Sequence, residues 1–234
     1  MKIYAIIPAR SGSKGLPNKN IRLILGKPLL SYSISFAKNL PSINRVFCST
    51  DSSEYAEIAR KYGAEVPFLR SAYAASDSAM EEDILEDLRS KFAEFNIEEP
   101  DLIVWLRPTF VFRCVNDVES CIDILRHDLT ITASRTVVAA ENRLYAIENN
   151  ILVPEFHDGG KSMVRRQDQA ISYKVFSTDV FRFKGSQLGR DFLGRNIYPV
   201  KTNPICGMDI DNNFDFQTVN NLIEHMPELI KKYL

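Results

Sequence analysis

The amino-acid sequence predicts an α/β fold: a Rossmann-like, mostly parallel sheet flanked by helices, with a small β-rich insertion. Short apolar runs, continuous rather than alternating, recur between helix-like segments, as expected of strands buried on both faces. The connections are short, and strand–helix–strand alternation favours a parallel sheet. The chain has 234 residues, 45% hydrophobic and 25% charged. This composition is ordinary for a globular protein and fits a single α/β domain spanning 1–234.

Strands of the sheet are predicted first, from their continuous apolar character. The runs are Lys2–Ile7, Arg45–Thr50, Leu102–Leu106 and Leu129–Ala133. Because all four are short and lack polar alternation, we expect them to lie side by side in the interior.

Helices are predicted between these strands. Apolar residues recur at helical spacing in Leu29–Leu40. A second helix over Ser52–Tyr62 ends before Gly63, a residue type common just after a helix C-terminus. The capping-box patterns Ser78-x-x-Glu81 and Asn116-x-x-Glu119 predict the starts of two further helices.

The pattern changes after Ala139. A β-hairpin is predicted with Asn149-Asn150 at its turn, followed by the basic stretch "KSMVRRQDQ". We therefore predict a β-rich insertion over approximately 140–190. A helix from about Phe214 to Tyr233 closes the chain.

Charge and cysteine content limit the classes of function. A formal net charge of −1 gives no general attraction to nucleic acid or to a membrane surface, so anion binding requires a local cluster. The four cysteines are scattered without a C-x-x-C motif, which is typical of reduced thiols in a cytoplasm. We find no signal peptide and no apolar run of about 18 residues. A cytoplasmic protein is expected, without nucleic-acid or membrane partners.

The stretch "PARSGSKGLPNKN" at 8–20 combines backbone freedom with positive charge. Gly12 and Gly15 allow backbone N–H groups to approach an anion, and Arg10, Lys14 and Lys19 add full charges. Its place after the first predicted strand is where open α/β sheets bind ligands. The alternative is a solvated basic loop, but the coincidence with a buried strand favours a polyphosphate site.

Two well-known phosphate loops are excluded by spacing. The glycines do not fit G-x-x-x-x-G-K-[ST], and the dinucleotide fingerprint G-x-G-x-x-G is absent. The sequence therefore argues against a Walker-type ATPase and against an NAD-linked enzyme.

The run "IPARSGSKGLPNKNI" resembles the signature of acylneuraminate-type cytidylyltransferases, which include legionaminate enzymes. Further similar motifs follow in order: "GKPLLSYSI", "STD", "GAEVPFLRS", "ASDSA" and "GMDIDNNFDF". The resemblance implies Mg²⁺-dependent, in-line transfer of CMP from CTP to an acidic sugar, with release of pyrophosphate. It also implies a homodimer in which the β-rich insertion reaches the neighbouring subunit and contributes to acceptor binding.

The resemblance also assigns the nucleotide site. Nucleotide-binding roles are implied for Ala9, Arg10, Ser11, Gly12, Ser13, Lys14, Asn20, Arg70, Ser76 and Asp77. Catalytic roles are implied for Arg10 and Lys19, together with Asp209 and Asp211. For Asp77, helix N-capping is an alternative or additional role.

Asp209 and Asp211 form the predicted metal site. If "GMDIDN" is a strand, both carboxylates lie on one face about 7 Å apart, and Ile210 points into the core. Two hard oxygen ligands, with substrate phosphates completing the shell, suit Mg²⁺. The alternative is an ordinary turn. The loop and the resemblance favour the metal.

Departures from the family pattern fall on the acceptor side. The acceptor-binding residues implied by the resemblance are Arg107, Pro108, Thr109, Arg165 and Gln167. Arg107 stands where the family has Gln, and Phe176-Ser177 stands where it has Asn-Gly. Arginine in place of glutamine suggests an acceptor that is more anionic than N-acetylneuraminate or differently substituted.

Two alternatives remain open at this point. One is a cytidylyltransferase with an atypical acceptor, such as another keto-acid sugar or a phosphorylated or phosphonate compound. The other is an inactive nucleotide-binding homologue. The cations of the loop and the acidic pair argue against the second alternative.

Overall fold

The chain alternates strands and helices along most of its length in a computed structural model that describes residues 1–157, 159, 163–165, 168 and 170–234. The strands are β1 (Ile3–Pro8), β2 (Leu23–Ile24), β3 (Lys27–Pro28), β4 (Arg45–Ser49), β5 (Leu102–Leu106), β6 (Ala133–Ala139), β7 (Tyr145–Glu148), β8 (Ile151–Pro154), β9 (Tyr173–Lys174), β10 (Thr178–Arg182) and β11 (Ile197–Lys201). The helices are α1 (Leu29–Lys38), α2 (Ser53–Lys61), α3 (Glu81–Glu94), α4 (Val115–His127), α5 (Asn213–His225) and α6 (Pro227–Ile230).

A seven-stranded sheet forms the centre, in the order β11-β6-β10-β5-β1-β4, and β9 pairs with β6. β1 lies between β4 and β5 and is parallel to both, and β11 is parallel to β6. β10 runs antiparallel to its neighbours β5 and β6. The predicted α/β fold with a mostly parallel sheet is therefore confirmed.

The sheet is covered on both faces, which explains its continuous apolar strands. Ile3, Ala5 and Ile7 of β1 pack into a core cluster with α1, α2 and α4. Tyr4 and Ile6 point to the opposite face and pack with α3. Successive side chains of a strand alternate between faces, so both must be apolar when both faces are buried.

The predicted strand Leu129–Ala133 is wrong in its position. The strand begins only at Ala133, and the Leu129 side chain is 81% exposed. Asp128 Oδ1 accepts hydrogen bonds from Thr130 N (2.8 Å) and Thr130 Oγ1 (2.6 Å). This local side-chain turn competes with a strand for the same backbone.

The two predicted capping boxes are also wrong. Helix α3 begins after Met80, whose N–H donates to Asp83 Oδ2 (2.7 Å), so the helix start lies two residues beyond Ser78. Helix α4 begins after Cys114, which places Asn116 inside its first turn. Helix α2, in contrast, begins after Ser52 as expected and is followed by Gly63 at φ +95°.

The C-terminal helix is interrupted rather than continuous. α5 ends at His225, and Pro227 opens the separate short helix α6. Proline inside a helix removes one backbone hydrogen bond and clashes with the preceding turn, so the helix breaks just before Pro227.

The predicted insertion contains two kinds of structure. β7 and β8 form the expected hairpin, with Asn149 at φ 51° and Asn150 at φ 65° in its two-residue turn. β10 also falls within 140–190, yet it pairs between β5 and β6 in the central sheet. The part that stands apart from the sheet is therefore the hairpin at 145–154.

In the part of the chain that the structure describes, no helix combines the length and apolar character that a membrane crossing requires.

Candidate functional site

A cleft of about 490 Å³ opens beyond the ends of β1 and β5. One side, the loop wall, comprises Pro8, Arg10, Ser13, Lys14, Gly15, Lys19, Asn20 and Asp211. The other side, the Arg107 wall, comprises Glu81, Ile84, Trp105, Arg107, Pro108 and Thr109. Arg70 also lines the cleft. Carboxyl ends of parallel strands are the usual ligand position in open α/β sheets.

The start of the glycine-rich loop is fixed by hydrogen bonds at its base. The Ser11 backbone N–H donates to Asp51 Oδ1 and its hydroxyl donates to Asp51 Oδ2, both at 2.8 Å. Buried Asn20 Nδ2 donates to the Arg10 carbonyl (3.0 Å). Ala9 N donates to the Ser49 carbonyl (2.9 Å) and is itself buried. These contacts hold the loop against the end of β4.

Gly15 is required by a close backbone approach. A Cβ at this position would lie 2.6 Å from the carbonyl oxygen of Asp211, which no real side chain tolerates. A Cβ at Gly12, by contrast, would meet nothing within 4 Å. Gly15 therefore lets the loop pack against the segment that carries the acidic pair.

Asp77 binds two of the loop cations. Arg10 Nη1 donates to Asp77 Oδ1 and to the Ser76 carbonyl, both at 3.0 Å, and Lys14 Nζ lies 2.7 Å from Asp77 Oδ2. The hydrogen bond from Lys14 holds the pKa of Asp77 below its ordinary value. Because α3 begins after Met80, Asp77 is not the N-cap of that helix.

The third loop cation joins the two ends of the chain. Lys19 Nζ lies 3.2 Å from Asp211 Oδ1, across 192 residues of sequence. The Lys19 side chain is 14% exposed, whereas that of Asp211 is 71% exposed. The structure thus brings predicted phosphate-binding and metal-binding residues together in one cleft.

The Asp209–Asp211 segment is not a strand, so strand alternation is not what sets the positions of the two carboxylates. It is an irregular segment that follows a 3₁₀ turn at Pro204–Gly207, and Ile210 N donates to the Thr109 carbonyl (3.1 Å). Ile210 is fully buried, as alternation had predicted. This one backbone bond substitutes for a strand partner at that point.

Asp209 is partly buried, and its Oδ1 has no hydrogen-bond partner in the described structure. Burial raises the pKa of Asp209; a hydrogen bond from Thr109 opposes the shift and the charge of Asp211 adds to it. An unsatisfied carboxylate oxygen beside a second carboxylate is the kind of oxygen donor set that a hard divalent cation prefers. Among the described residues, no group of three or more metal-ligating side chains occurs.

Arg70 is a buried cation at the back of the cleft. Its Nε donates to Ser49 Oγ (3.0 Å) and its Nη2 to the Ser49 carbonyl (2.7 Å). Burial lowers the pKa of Arg70 to about 10, although Asp51 and Asp87 act in the opposite direction. Arg70 therefore remains charged at neutral pH, and its position at the cleft is compatible with the predicted nucleotide contact.

Arg107 is turned towards two protein carboxylates. Its Nη1 donates to Asp179 Oδ2 (2.7 Å), and its Nε donates to Glu81 Oε1 (2.9 Å). The side chain of Asp179 is 1% exposed, and that of Arg107 is 15% exposed. Burial lowers the pKa of Arg107, but the charges of Asp179 and Glu81 outweigh this effect and leave it raised. Sequence reasoning foresaw neither carboxylate.

Phe176 is held between two guanidinium groups. Those of Arg107 and Arg135 both lie 5.0 Å from its ring centroid, and Arg107 Nη1 donates to its carbonyl (2.7 Å). Arg135 Nε in turn donates to Asp179 Oδ1 (2.5 Å). Phe176 has φ +87°, a region that a non-glycine residue occupies only when surrounding contacts hold it there.

Buried Arg113 supports the Arg107 wall from below. Its Nη2 donates to the Arg107 carbonyl (2.6 Å) and its Nη1 to Ser33 Oγ (3.0 Å). Burial lowers the pKa of Arg113 to about 9. The carbonyl that this guanidinium binds fixes the backbone immediately before Pro108.

The predicted site residues are not all at the cleft surface. Those that line it are Arg10, Ser13, Lys14, Lys19, Asn20, Arg70, Arg107, Pro108, Thr109 and Asp211. Ala9, Ser11, Ser76 and Asp77 do not line it but take part in the hydrogen bonds and ion pairs of the loop, and Gly12 and Asp209 are also outside the lining. Arg165 is exposed in an irregular segment that follows the hairpin in sequence, and Gln167 lies outside the described residues.

Sequence reasoning missed Glu81, Ile84 and Trp105 as cleft residues. Glu81 was interpreted only as part of a capping box, Trp105 lay within a predicted buried strand, and Ile84 was given no role in binding. The sequence signal that was available is the position of Trp105 near the end of β5, where ligands bind in this class of sheet.

Comparison with known protein families gives one direct match. A family described as "Cytidylyltransferase" matches residues 4–99 of the chain. That range contains the glycine-rich loop, Arg70 and Asp77.

Curated proteins are similar over longer stretches. "Post-translational flagellin modification protein B" of Campylobacter coli is 31% identical over 239 residues, covering 95% of each chain. "Pseudaminic acid cytidylyltransferase" of Campylobacter jejuni is 28% identical, covering 96% of this chain and 98% of that one. "CMP-N,N'-diacetyllegionaminic acid synthase" of Legionella pneumophila is 40% identical over 124 residues, and this match spans 53% of each chain.

Solved structures support the fold. A CMP:2-keto-3-deoxy-manno-octonic acid synthetase complexed with CTP superposes with a TM-score of 0.67, covering 96% of this chain and 99% of that one. The sequence identity is 16%, so this likeness concerns the fold alone.

Proposed function

We propose, because the chain belongs to the acylneuraminate-type cytidylyltransferase family, that it transfers CMP from CTP to an acidic nonulosonic sugar. The observation that carries the proposal is the cleft itself, in which Arg10, Lys14 and Lys19 face the same space as Asp211. The relatives named for legionaminic and pseudaminic acids indicate the acceptor class. They do not single out one member of it.

The reaction is an in-line displacement. A hydroxyl of the sugar loses its proton to solvent as its oxygen forms a bond to the α-phosphorus of CTP, the bond from that phosphorus to the bridging oxygen breaks, and pyrophosphate leaves. In such transfers the protein mainly positions groups and stabilises charge. Arg10, Lys14 and Lys19 supply that positive charge, and the anchored base of the loop keeps them in place.

Mg²⁺ is the metal that we propose for this reaction, held by Asp209 and Asp211. The unsatisfied, buried Oδ1 of Asp209 supports this assignment, since a buried polar atom without a partner is costly. When bound, a divalent cation offsets negative charge on the phosphates. Lys19, which binds Asp211 in this structure, orients that carboxylate beside the loop.

The Arg107 wall is the proposed acceptor side. Arg107, Pro108 and Thr109 line it, as the resemblance implies for acceptor-binding residues. Roles for Arg165 and Gln167 remain predictions from the sequence.

A homodimer is proposed because the hairpin region exposes apolar side chains. Ile147 is 75% exposed, and Ile151 and Leu152 are each 66% exposed. A cluster of this kind is typical of a protein–protein interface. Sedimentation velocity is expected to give a dimer that Ile147→Asp converts to monomer.

We also propose a cytoplasmic location, where CTP is made and where free cysteines such as the four in this chain persist.

An acceptor screen tests the proposed activity. The protein is incubated with CTP, Mg²⁺ and separate neuraminate, legionaminate, pseudaminate and Kdo acceptors, and pyrophosphate release is measured. Release with at least one nonulosonate is expected. CTP binding without release for any acid would instead favour an inactive nucleotide-binding homologue. A larger thermal shift with ATP or GTP than with CTP would overturn the choice of nucleotide.

Asp211→Asn tests the acidic pair. We expect turnover to fall by about 100-fold or more, since the proposed metal loses one of its two carboxylate ligands and with it the offset of phosphate charge. The fold is expected to persist because the side chain is mostly exposed. Asp123→Asn, an exposed change on α4, is the matched control. Retained activity with Mg²⁺ in the Asp211 variant would remove the metal assignment.

A further inference from the structure

Among the described residues, hydrogen bonds reach only one of the two carboxylate oxygens of Glu81. Oε1 accepts hydrogen bonds from Trp105 Nε1 (3.2 Å), Arg107 Nε (2.9 Å) and Arg107 Nη2. Oε2 has no hydrogen-bond partner among the described residues, and the side chain is 34% exposed where it lines the cleft. Three donors on one oxygen fix the direction of the carboxylate and leave its second oxygen available.

The charges of the side chains that are ion-paired around Arg107 balance one another without any ligand. Arg107 and Arg135 contribute two positive charges, and Glu81 and Asp179 contribute two negative charges, all joined in one hydrogen-bonded network. The guanidinium of Arg107 therefore has no spare charge to offer a second anionic group. The replacement of glutamine by arginine does not make this wall an anion receptor.

The surroundings of Glu81 define what it can bind. Ile84, Trp105 and Pro108 give the wall an apolar surface beside the free oxygen. A carboxylate oxygen accepts hydrogen bonds and repels anions, so a partner at this point must present an O–H or N–H group. A phosphate or second carboxylate there would face repulsion from Glu81.

We propose that Glu81 determines acceptor specificity by accepting a hydrogen bond at Oε2 from an uncharged hydroxyl or amide group of the sugar. Arg107 acts through Glu81 as a positioning residue, in place of the direct acceptor contact that the resemblance implies for it. The inference rests on the proposed function and names the chemistry of its acceptor. It replaces the sequence-based expectation of a more anionic substrate.

The role of Glu81 is tested by measuring kcat/KM for each enzyme variant on the acceptor and on modified acceptors. Wild type and Glu81→Ala are compared on the best acceptor and on analogues that lack one hydroxyl or carry an N-methylated amide. For wild type, one analogue is expected to lose about 10- to 100-fold in kcat/KM, the value of a hydrogen bond to a charged group. Glu81→Ala is expected to treat that analogue and its parent alike, with the KM for CTP unchanged.

Controls separate this role from folding and from the activity itself. Glu82→Ala, on the adjacent residue that does not line the cleft, is expected to discriminate as wild type does. Glu81→Gln, which keeps the size of the side chain, covers the case in which Glu81→Ala fails to fold, and it is expected to improve the use of doubly anionic acceptors. Discrimination unchanged in the Glu81 variants would overturn the inference, whereas no transfer by wild type would overturn the proposed function.

Arg107 variants test the positioning role. Arg107→Met is expected to raise the acceptor KM and to weaken the discrimination between analogue and parent, because the direction of Glu81 is lost. Arg107→Lys is expected to restore part of both effects. An unchanged analogue preference in Arg107→Met, or a change confined to the KM for CTP, would contradict this role.

Discussion

The two walls of the cleft hold their cations in different ways. On the loop wall, Lys14 is 75% exposed and its partner Asp77 is 53% exposed. On the Arg107 wall, the carboxylate of Asp179 is 1% exposed and binds two guanidinium groups. Exposed ion pairs contribute little to stability, whereas breaking a buried one is costly. The loop cations can therefore exchange their partners for phosphate, while Arg107 is part of the structure.

This contrast shows that a cationic residue near a cleft is not always available to bind an anionic ligand. Arg10, Lys14 and Arg107 are all cationic residues in the sequence, and all three line the cleft. Only the structure distinguishes cations with exchangeable partners from one whose partner is buried. The predictions below test that distinction.

The largest expected effect is on stability, from Asp179→Asn. Removing the buried charge leaves Arg107 and Arg135 without their shared partner, so the free energy of unfolding should fall by about 3 kcal/mol. Urea denaturation measures this change. Asp77→Asn, its counterpart on the loop wall, is expected to leave the denaturation midpoint unchanged. An equal fall in the free energy of unfolding in the two variants would contradict the proposed difference between the ion pairs of the two walls.

The next effect is on turnover, from Lys19→Met. We expect kcat/KM to fall by about 100-fold with little change in stability, since the ammonium group stabilises charge on the phosphates. Steady-state kinetics with pyrophosphate detection measures it. Lys27→Met, an exposed change outside the cleft lining, is the control. A loss of stability without a loss of turnover would assign Lys19 to the fold instead.

The smallest effect is expected from Lys14→Met, about 10-fold and mainly in the KM for CTP. Its side chain is the most exposed of the loop cations in ion pairs, so solvent screens it most. The difference between variant and wild type should shrink from 0.05 to 0.5 M salt, roughly as the Debye length shortens. A salt-independent difference would indicate a contact shielded from solvent.

Much of the fold could be predicted because it depends on local pattern. The continuous apolar runs of β1 and β5, the helix α2 that ends before Gly63 and the Asn149-Asn150 turn are all set by nearby residues. The same holds for the glycine-rich loop. Its composition and its position after a buried strand together indicate an anion site.

What could not be predicted depends on partners distant in sequence. Glu81 was assigned to a capping box, yet its carboxylate binds Trp105 and Arg107, 24 and 26 residues away. Asp83 takes the capping role instead. For the acidic segment the sequence left strand and turn open, and the backbone is fixed instead by a bond from Ile210 N to the carbonyl of Thr109, far earlier in the chain. Local sequence patterns do not reveal contacts between residues that are far apart in the chain.

The close packing of Gly15 against Asp211, with the ion pair from Lys19, has a consequence for the order of folding. A contact between residues 192 positions apart forms only after the entropy of closing the intervening chain has been overcome. The central strands pair over shorter separations, so the sheet is expected to form before the cleft is complete. Refolding should therefore recover far-UV ellipticity first and CTP binding last, which gives a partly folded chain no means of sequestering nucleotide.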